Sequence, residues 1–491
     1  MAPKRYAPEL VDAGFAIEVA DAPLLHSELG IADLAHVLVL MERGTIPADA
    51  GARLVGVLLE AHRIPVAEFP YDPVHGEVYN CRERWMAERI GRDAGWLHAG
   101  RPRREAVRIA MRLRMRRDVV ALIEAAAQFV VEAARQADAH AETFMAEQTY
   151  LQHAQPSTFG HYLVAFAHAV LREVDRLTDC LAWVNRSPAG AGGVNGSRLT
   201  GMDRAKVSTL MAFDDIIEHT RDAMWQADGL LALMSTTASL ATTLAKLAED
   251  LEIWASSEFD YVSLADGHTR TSVLMPQKRN PYALTMVRGE AGVLIGRMTG
   301  MFAVSKSPSA RSDNLIFAYG EVPRSVQLAT KTTRLMAGVT AGLTVNAERM
   351  YEALESGFSQ AADLAEHLME ACGLDYRTAY EVVGAAVRTA AAAGLRGVDL
   401  TGAMVDAAAV GILGGPLGLV GADLAEVLDP AAIVRSRAMR GGAEPEVVRA
   451  MAATAARAGE LALERARRRR NAFDTVEANL IENAESVAAK I

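Results

Sequence analysis

The chain has 491 residues, with 51 Lys and Arg against 61 Asp and Glu for a formal net charge of −10, and is 51% hydrophobic but only 6% aromatic. An acidic balance of this kind argues against nucleic acid as a partner. The apolar load is carried by Ala, Leu, Val and Met, which suits helix packing more than sheet. Cys81, Cys180 and Cys372 are odd in number and lack paired spacing. That pattern argues against a disulfide framework or a structural zinc site and fits a reducing compartment. The opening Met-Ala-Pro-Lys-Arg-Tyr lacks the apolar core of a signal peptide, and no uninterrupted apolar run approaches bilayer length. A cytoplasmic protein without membrane contact is therefore expected.

Taken in chain order, the first hundred residues read as short helices joined by glycine turns. Residues 106–155 contain neither glycine nor proline, and apolar residues recur at helical spacing through Val107, Met111, Val119, Leu122, Ile123 and Phe129. A single very long helix is predicted there, far above the usual length of about 11–12 residues. Residues 157–187 carry only Gly160 as an internal breaker, and residues 202–266 only Gly229. Between them, Ser187 to Gly201 is a loop by composition. Another helical stretch follows Pro281. Such helices cannot bury a narrow face alone and should bundle with each other or with neighbouring subunits. No strand-period region of consequence is visible. The fold class expected is all-α in three helical domains: residues 1–105, a long central bundle over 106–361, and a small helical domain over 362–491. The basic run Arg465-Ala-Arg-Arg-Arg-Arg470 reads as a solvated helix end.

The stretch Thr271-Ser-Val-Leu-Met-Pro-Gln-Lys-Arg-Asn-Pro281 places Ser272, Lys278 and Asn280 within nine residues, between Gly267 and Pro281. A loop carrying a serine, an ammonium and an amide can close over an anionic substrate. It resembles the signature loop of the fumarase/aspartase superfamily, with Thr271 and Val273 in place of a glycine and a second serine. Thr149-Tyr-Leu-Gln-His-Ala-Gln-Pro156, Leu97-His-Ala-Gly-Arg-Pro-Arg-Arg104, Ala362-Asp-Leu-Ala-Glu-His367 and Tyr376-Arg-Thr-Ala-Tyr-Glu-Val-Val-Gly384 resemble argininosuccinate lyase in particular. The resemblance implies a homotetramer around a twenty-helix core, with each active site assembled from segments of different subunits. It implies elimination of fumarate from a succinyl compound, a small-molecule substrate, with no metal or organic cofactor.

By the same resemblance Ser272 is the catalytic base, and Lys278 and Asn280 are donors to the charge that develops on the substrate. Arg103 and Thr149 fit positions that hold succinyl carboxylates, an arginine being suited to planar bidentate binding. Gln155 and Tyr319 fall on matching motif positions. The departures matter as much. Tyr150 stands where the family has a histidine, and Thr285 where it has the paired glutamate, so both halves of that relay are absent together. Tyr150 is the replacement proton donor or a space filler. His153, if still helical, lies on an adjacent face. His219 occupies an asparagine position as a possible pocket acid. Pro102 and Arg104 replace a serine and a fumarate-contacting asparagine, and Arg324 and Gln327 replace a glutamine and a lysine. The regions that shape the amine half of the pocket have thus changed. The expected activity is a carbon–nitrogen lyase releasing fumarate from an N-substituted aspartate other than argininosuccinate, reversible toward amine addition. The alternatives are a true argininosuccinate lyase and a catalytically silent structural homologue.

Overall fold

The computed structural model describes residues 6–199, 201–307 and 313–490; the opening five residues, read above for a leader, lie outside it. Helices α1 (Ala22–Glu42), α2 (Ala48–Arg63) and α3 (Val78–Ile90) form the N-terminal part. The long helix α4 (Arg103–Ala139) starts directly after Pro102 and runs 37 residues, about 55 Å at 1.5 Å per residue. Its buried positions run around every face, from Ala106 and Val107 to Phe129, Val130 and Ala137. A helix buried all round belongs at the centre of a bundle. α4 packs against α1, α5 (Phe159–Val184), α8 (Ala318–Ala341) and α12 (Pro445–Ala488), while α6 (Asp228–Trp254) pairs with α7 (Tyr282–Ser305).

The long helix ends sooner than its composition predicts. Residues 144–158 form an antiparallel hairpin of β1 (Phe144–Thr149) and β2 (Gln152–Thr158). Absence of glycine and proline is permissive for a helix but does not compel one, and here the turn is made without them. Tyr150 (φ 55°) and Leu151 (φ 58°) both adopt the left-handed region that a two-residue hairpin turn requires. His153 therefore lies in a strand, paired with Gln148, and not on a helix face.

A second apolar core, Leu364 to Leu428, joins α9 (Ala361–Cys372), α10 (Tyr376–Ala392) and α11 (Gly402–Leu413). α12 then leaves that unit and inserts Ala452, Ala455, Phe473 and Leu480 into the large core. The run Arg465–Arg470 lies on α12, where Arg468, Arg469 and Arg470 pair with Glu464, Asp214 and Glu124. Two helices, α1 and α6, have the length and mean composition of a membrane span, unlike what the sequence suggests from uninterrupted runs alone. In α1, 83% of the apolar window is buried inside the protein, which marks it as a core helix.

Candidate active site

The sequence-predicted residues fall into three groups. The first is the serine loop. Its base is a short ladder of β3 (Arg270–Thr271) and β4 (Arg279–Asn280), with Arg270 opposite Asn280. The Ser272 amide donates to the Lys278 carbonyl (3.3 Å), and the Lys278 amide to the Met275 carbonyl (3.1 Å). Asn280 Nδ2 donates to the Arg270 carbonyl at 2.9 Å and so clasps the loop. Arg279 anchors it from outside on Leu264 O (3.0 Å) and Asp266 (2.5 Å). Within this frame the Leu274 and Met275 amides both donate to Ser272 Oγ, at 3.3 and 3.0 Å. Two peptide dipoles thus point their positive ends at the one oxygen that would carry charge as an alkoxide. Lys278 is exposed and makes no ion pair among the described residues. The tip Val273-Leu274-Met275 projects into solvent.

The second group is the hairpin. Thr149 closes the ladder opposite Gln152, and Tyr150 at the tip is 99% exposed. Lower down, Ala154 and Gln155 of β2 together oppose the single residue Glu147 of β1, a bulge between the Ala146 and Gln148 pairs. Bulges re-aim side chains, and Gln155 lines a cavity of about 400 Å³ with Phe358, Tyr376, Tyr380 and Val383 of the small C-terminal unit. His161 bridges the hairpin's foot, 3.5 Å from Glu147 and 3.3 Å from Ser157 Oγ, with Nε2 3.2 Å from the Gly441 carbonyl. Glu147 holds its imidazole above the usual histidine range.

The third group is an arginine corner made by the Gly100–Pro102 loop, the first turn of α4 and the start of α8. Arg101 is buried and fixed by Asp33 (2.5 Å), Tyr79 Oη (3.0 Å) and the Ala32 carbonyl (3.1 Å). Arg103 donates to Asn80 Oδ1 (3.0 Å) and stands 3.8 Å from Glu77. Arg104 pairs with Glu18 at 2.7 Å, and Arg324 with Asp21 at 2.5 Å. Tyr319, 2% exposed, lies among them. Pro323 lacks the N–H that would bind the Tyr319 carbonyl, loosening α8 at this corner. Burial, only partly offset by Arg324, lifts the Asp21 carboxyl above its ordinary range. Residues 187–199 form an anchored loop, because Glu105 accepts from the amides of Gly190 (2.7 Å) and Gly192 (2.6 Å). Gly192 has φ +59°, and a Cβ there would meet the Gly196 carbonyl at 2.7 Å.

Two remaining positions are resolved differently. His219 caps the helix Thr220–Trp225, its Nδ1 accepting from the Arg221 amide at 3.1 Å, which is a structural duty. Thr285, in place of the family's glutamate, donates to Glu252 at 3.1 Å. A carboxylate from α6 therefore stands one hydrogen bond away from that place, itself paired with Arg288. Sequence reasoning missed Glu18, Asp21, Glu77 and Glu252. Glu18 and Asp21 lie at the entry to α1, Glu77 just before α3 and Glu252 on α6, so only the fold brings them to the site.

Comparison with known proteins bears on the family and the fold. A lyase family model matches residues 50–296, and a model of the argininosuccinate lyase C-terminal region matches residues 358–435. Argininosuccinate lyase of Methanococcoides burtonii is 32% identical over 421 residues, 85% of this chain and 84% of that protein. The Halobacterium salinarum enzyme is 34% identical, covering 88% and 87%. Among solved structures, an EDDS lyase variant with bound fumarate superposes with a TM-score of 0.87 at 25% identity, over 99% of this chain and 97% of that one. The 3-carboxy-cis,cis-muconate lactonizing enzyme from Pseudomonas putida, at 21% identity and TM-score 0.68, shares the fold.

Proposed function

The chain belongs to the fumarase/aspartase superfamily and to its argininosuccinate lyase branch, as a carbon–nitrogen lyase, and we propose that it eliminates fumarate from an N-substituted aspartate other than argininosuccinate. The observation that carries the reading is the pair of amides converging on Ser272 Oγ, on the same short loop as Lys278, which makes no ion pair among the described residues. Ser272 as alkoxide removes a proton from the carbon next to the distal carboxylate. The electron pair moves into that carboxylate, whose second negative charge Lys278 offsets. Collapse of this intermediate forms the carbon–carbon double bond and expels the amine, which takes a proton from Tyr150. The reverse sequence adds an amine to fumarate.

Arg103 and Thr149 hold the succinyl carboxylates. Arg104 adds a cation where the family has a neutral donor, which favours an extra negative charge or a tighter carboxylate clamp. Arg324 and Gln327 change the amine end in the same sense, replacing the groups that fit argininosuccinate. The site is completed in a soluble, cytoplasmic homotetramer with a twenty-helix core. There the exposed hairpin tip and serine loop of one subunit meet the arginine corner of others. The division into residues 1–105, 106–361 and 362–491 belongs to the same reading, with α12 of the last segment returning to pack on the bundle.

Incubation with fumarate and a panel of amines, followed by fumarate absorbance, tests the reading. Consumption with amines other than arginine is expected. Consumption with arginine alone would make the chain an argininosuccinate lyase. No consumption with any amine would leave a silent homologue.

A further inference from the structure

His161 is placed by the core of the protein and reaches outward from it. Its amide donates to Thr158 Oγ1 at 3.0 Å in the first turn of α5, and a Cβ on the preceding Gly160 would clash with the Ala137 carbonyl, so the backbone there lies flush against the end of α4. From this fixed point the imidazole meets two other segments. Nδ1 faces Glu147 Oε1 (3.5 Å) and Ser157 Oγ (3.3 Å) of the hairpin, and Nε2 faces the Gly441 carbonyl (3.2 Å) in the turn that leads into α12. Glu147 is the single residue opposite the bulge. Its carboxylate receives the Ser157 hydroxyl at 3.1 Å and, among the described residues, no side-chain donor besides that hydroxyl and the imidazole.

The acceptors fix the protons. A carbonyl only accepts, so Nε2 carries a hydrogen. A carboxylate only accepts, and the Ser157 hydroxyl is already given to it, so Nδ1 carries one as well. An imidazole with hydrogens on both nitrogens is a cation. The positive end of α5 opposes a charge in its first turn, but Glu147 outweighs it and holds the imidazole above the ordinary histidine range. Loss of the Nδ1 proton turns a lone pair toward the carboxylate. Ser157 relieves that only by swinging its hydroxyl from Glu147 to Nδ1, which leaves Glu147 with neither donor. The neighbouring ionisable groups are engaged elsewhere. Asp250 of α6 takes the Tyr162 hydroxyl (2.7 Å), and His140 at the end of α4 bonds Thr143 (3.0 Å). Around the turn, Arg437 pairs with Asp363, Arg449 with Glu142, and Glu444 caps α12 (2.8 Å), while Arg440 is exposed.

We propose that His161 is a positioning residue whose imidazolium clasps the hairpin at Glu147 to the turn at Gly441, and that loss of its proton frees the hairpin. The consequence for turnover rests on the lyase reading above, in which the hairpin carries Thr149 and Tyr150. The clasp itself does not. With the imidazole raised in the folded state, the clasp is whole below the ordinary histidine value of about 6.5 and is lost as pH rises through the raised value.

The test is amide hydrogen exchange of the native protein over residues 144–158, corrected for the intrinsic rate, from about pH 6 to 9. Hairpin protection should fall about tenfold as pH rises through the His161 transition. His161→Arg, a cation throughout this range with donors on two sides, should keep protection high and flat. His161→Gln should keep it low and flat. Glu147→Gln should move the transition to lower pH, a shift that a packing role alone would not produce. In the fumarate assay the wild-type rate should descend over the same interval, and His161→Arg should lack that limb. Flat wild-type protection, or a transition that survives in His161→Gln, would overturn the clasp. Should one variant fail to fold, the wild type and the other carry the comparison. A protection limb with a rate that ignores it would overturn the positioning role. Absence of fumarate turnover at every pH would remove the lyase reading and leave hydrogen exchange to decide the clasp.

Discussion

The arginine corner and the serine loop are opposite kinds of site. In the corner, Arg101, Arg104 and Arg324 are each matched to a carboxylate from a distant segment of the chain, and Tyr319 is buried beneath them. In the loop, Ser272 and Lys278 touch little beyond their own turn, and Val273 and Leu274 are 107% and 83% exposed. One region is built by the protomer's own core, and the other is a self-supporting turn offered to something outside it. Damage should therefore reach the corner through stability and the loop through chemistry.

The largest expected effect is on the loop. Ser272→Ala should lower turnover by about 10³-fold or more, the range for loss of a catalytic acid or base. Among the described residues its Oγ accepts from Leu274 and Met275 alone, within the loop, so the unfolding midpoint and the native mass should not change. A near-normal rate would remove Ser272 from the mechanism.

The corner should fail differently. His26 stands on α1 below it, buried, with Nδ1 2.6 Å from Tyr71 Oη and Nε2 3.0 Å from the Ile64 carbonyl. Burial, with Arg82 adding, pushes its imidazole down to about 4. The folded state then binds fewer protons than the unfolded chain between about pH 6.5 and 4. Stability is complete above that window and is lost as pH falls through it, by about 3 kcal/mol for the whole shift. Denaturant unfolding across this range should show the slope, and His26→Gln should flatten it. A wild-type protein with no loss of stability between pH 6.5 and 4 would contradict the burial argument.

What the sequence made legible follows the same division. The serine loop is a contiguous motif, so its residues were readable in order. Its decisive feature, two amides on one oxygen, is backbone geometry that no side-chain pattern encodes. The long helices were legible from periodicity, but the end of α4 was not. The hairpin turn uses Tyr150 and Leu151 at positive φ, where composition gives no breaker signal. In the corner, Arg103 and Tyr319 were named as matches to the family pattern, and Arg104 and Arg324 as departures from it. Their carboxylate partners were invisible because Glu18 and Asp21 lie 86 and 303 residues from the arginines they bind.

The next effect sharpens the open side of the comparison. Tyr150→Phe keeps the ring and removes one hydroxyl. If that hydroxyl protonates the departing amine, the rate for basic leaving groups should fall about tenfold to a hundredfold. Activated leaving groups should be nearly unaffected. Glu252→Gln should reproduce part of this loss, since the Thr285–Glu252 pair occupies the place of the family's relay carboxylate. Tyr150→His with Thr285→Glu should show a non-additive rate in a double-mutant cycle. Additive single losses would separate these positions from the proton path.

The smallest effect comes from the neighbour of Tyr150. Leu151 is 55% exposed at φ 58°, so its side chain gains little from burial while its backbone sits where a Cβ is disfavoured by roughly 1–2 kcal/mol. Glycine relieves that strain but adds freedom to the unfolded chain, worth roughly 0.5–1 kcal/mol. Leu151→Gly should therefore stabilise the protein by about 0.5–1 kcal/mol, read as a small rise in denaturant midpoint. The informative outcome is what happens to catalysis at the same time. A strained turn persists where its conformation is used, and the use here is to hold the Tyr150 ring outward at the tip. If glycine lets the tip wander, turnover falls while stability rises, and Tyr150 is a functional group held by strain. Higher stability with unchanged turnover would mean that the hairpin ladder alone positions Tyr150. A loss of stability would show that Leu151 is covered by a partner subunit, so that the open half of the site is completed at the hairpin tip itself.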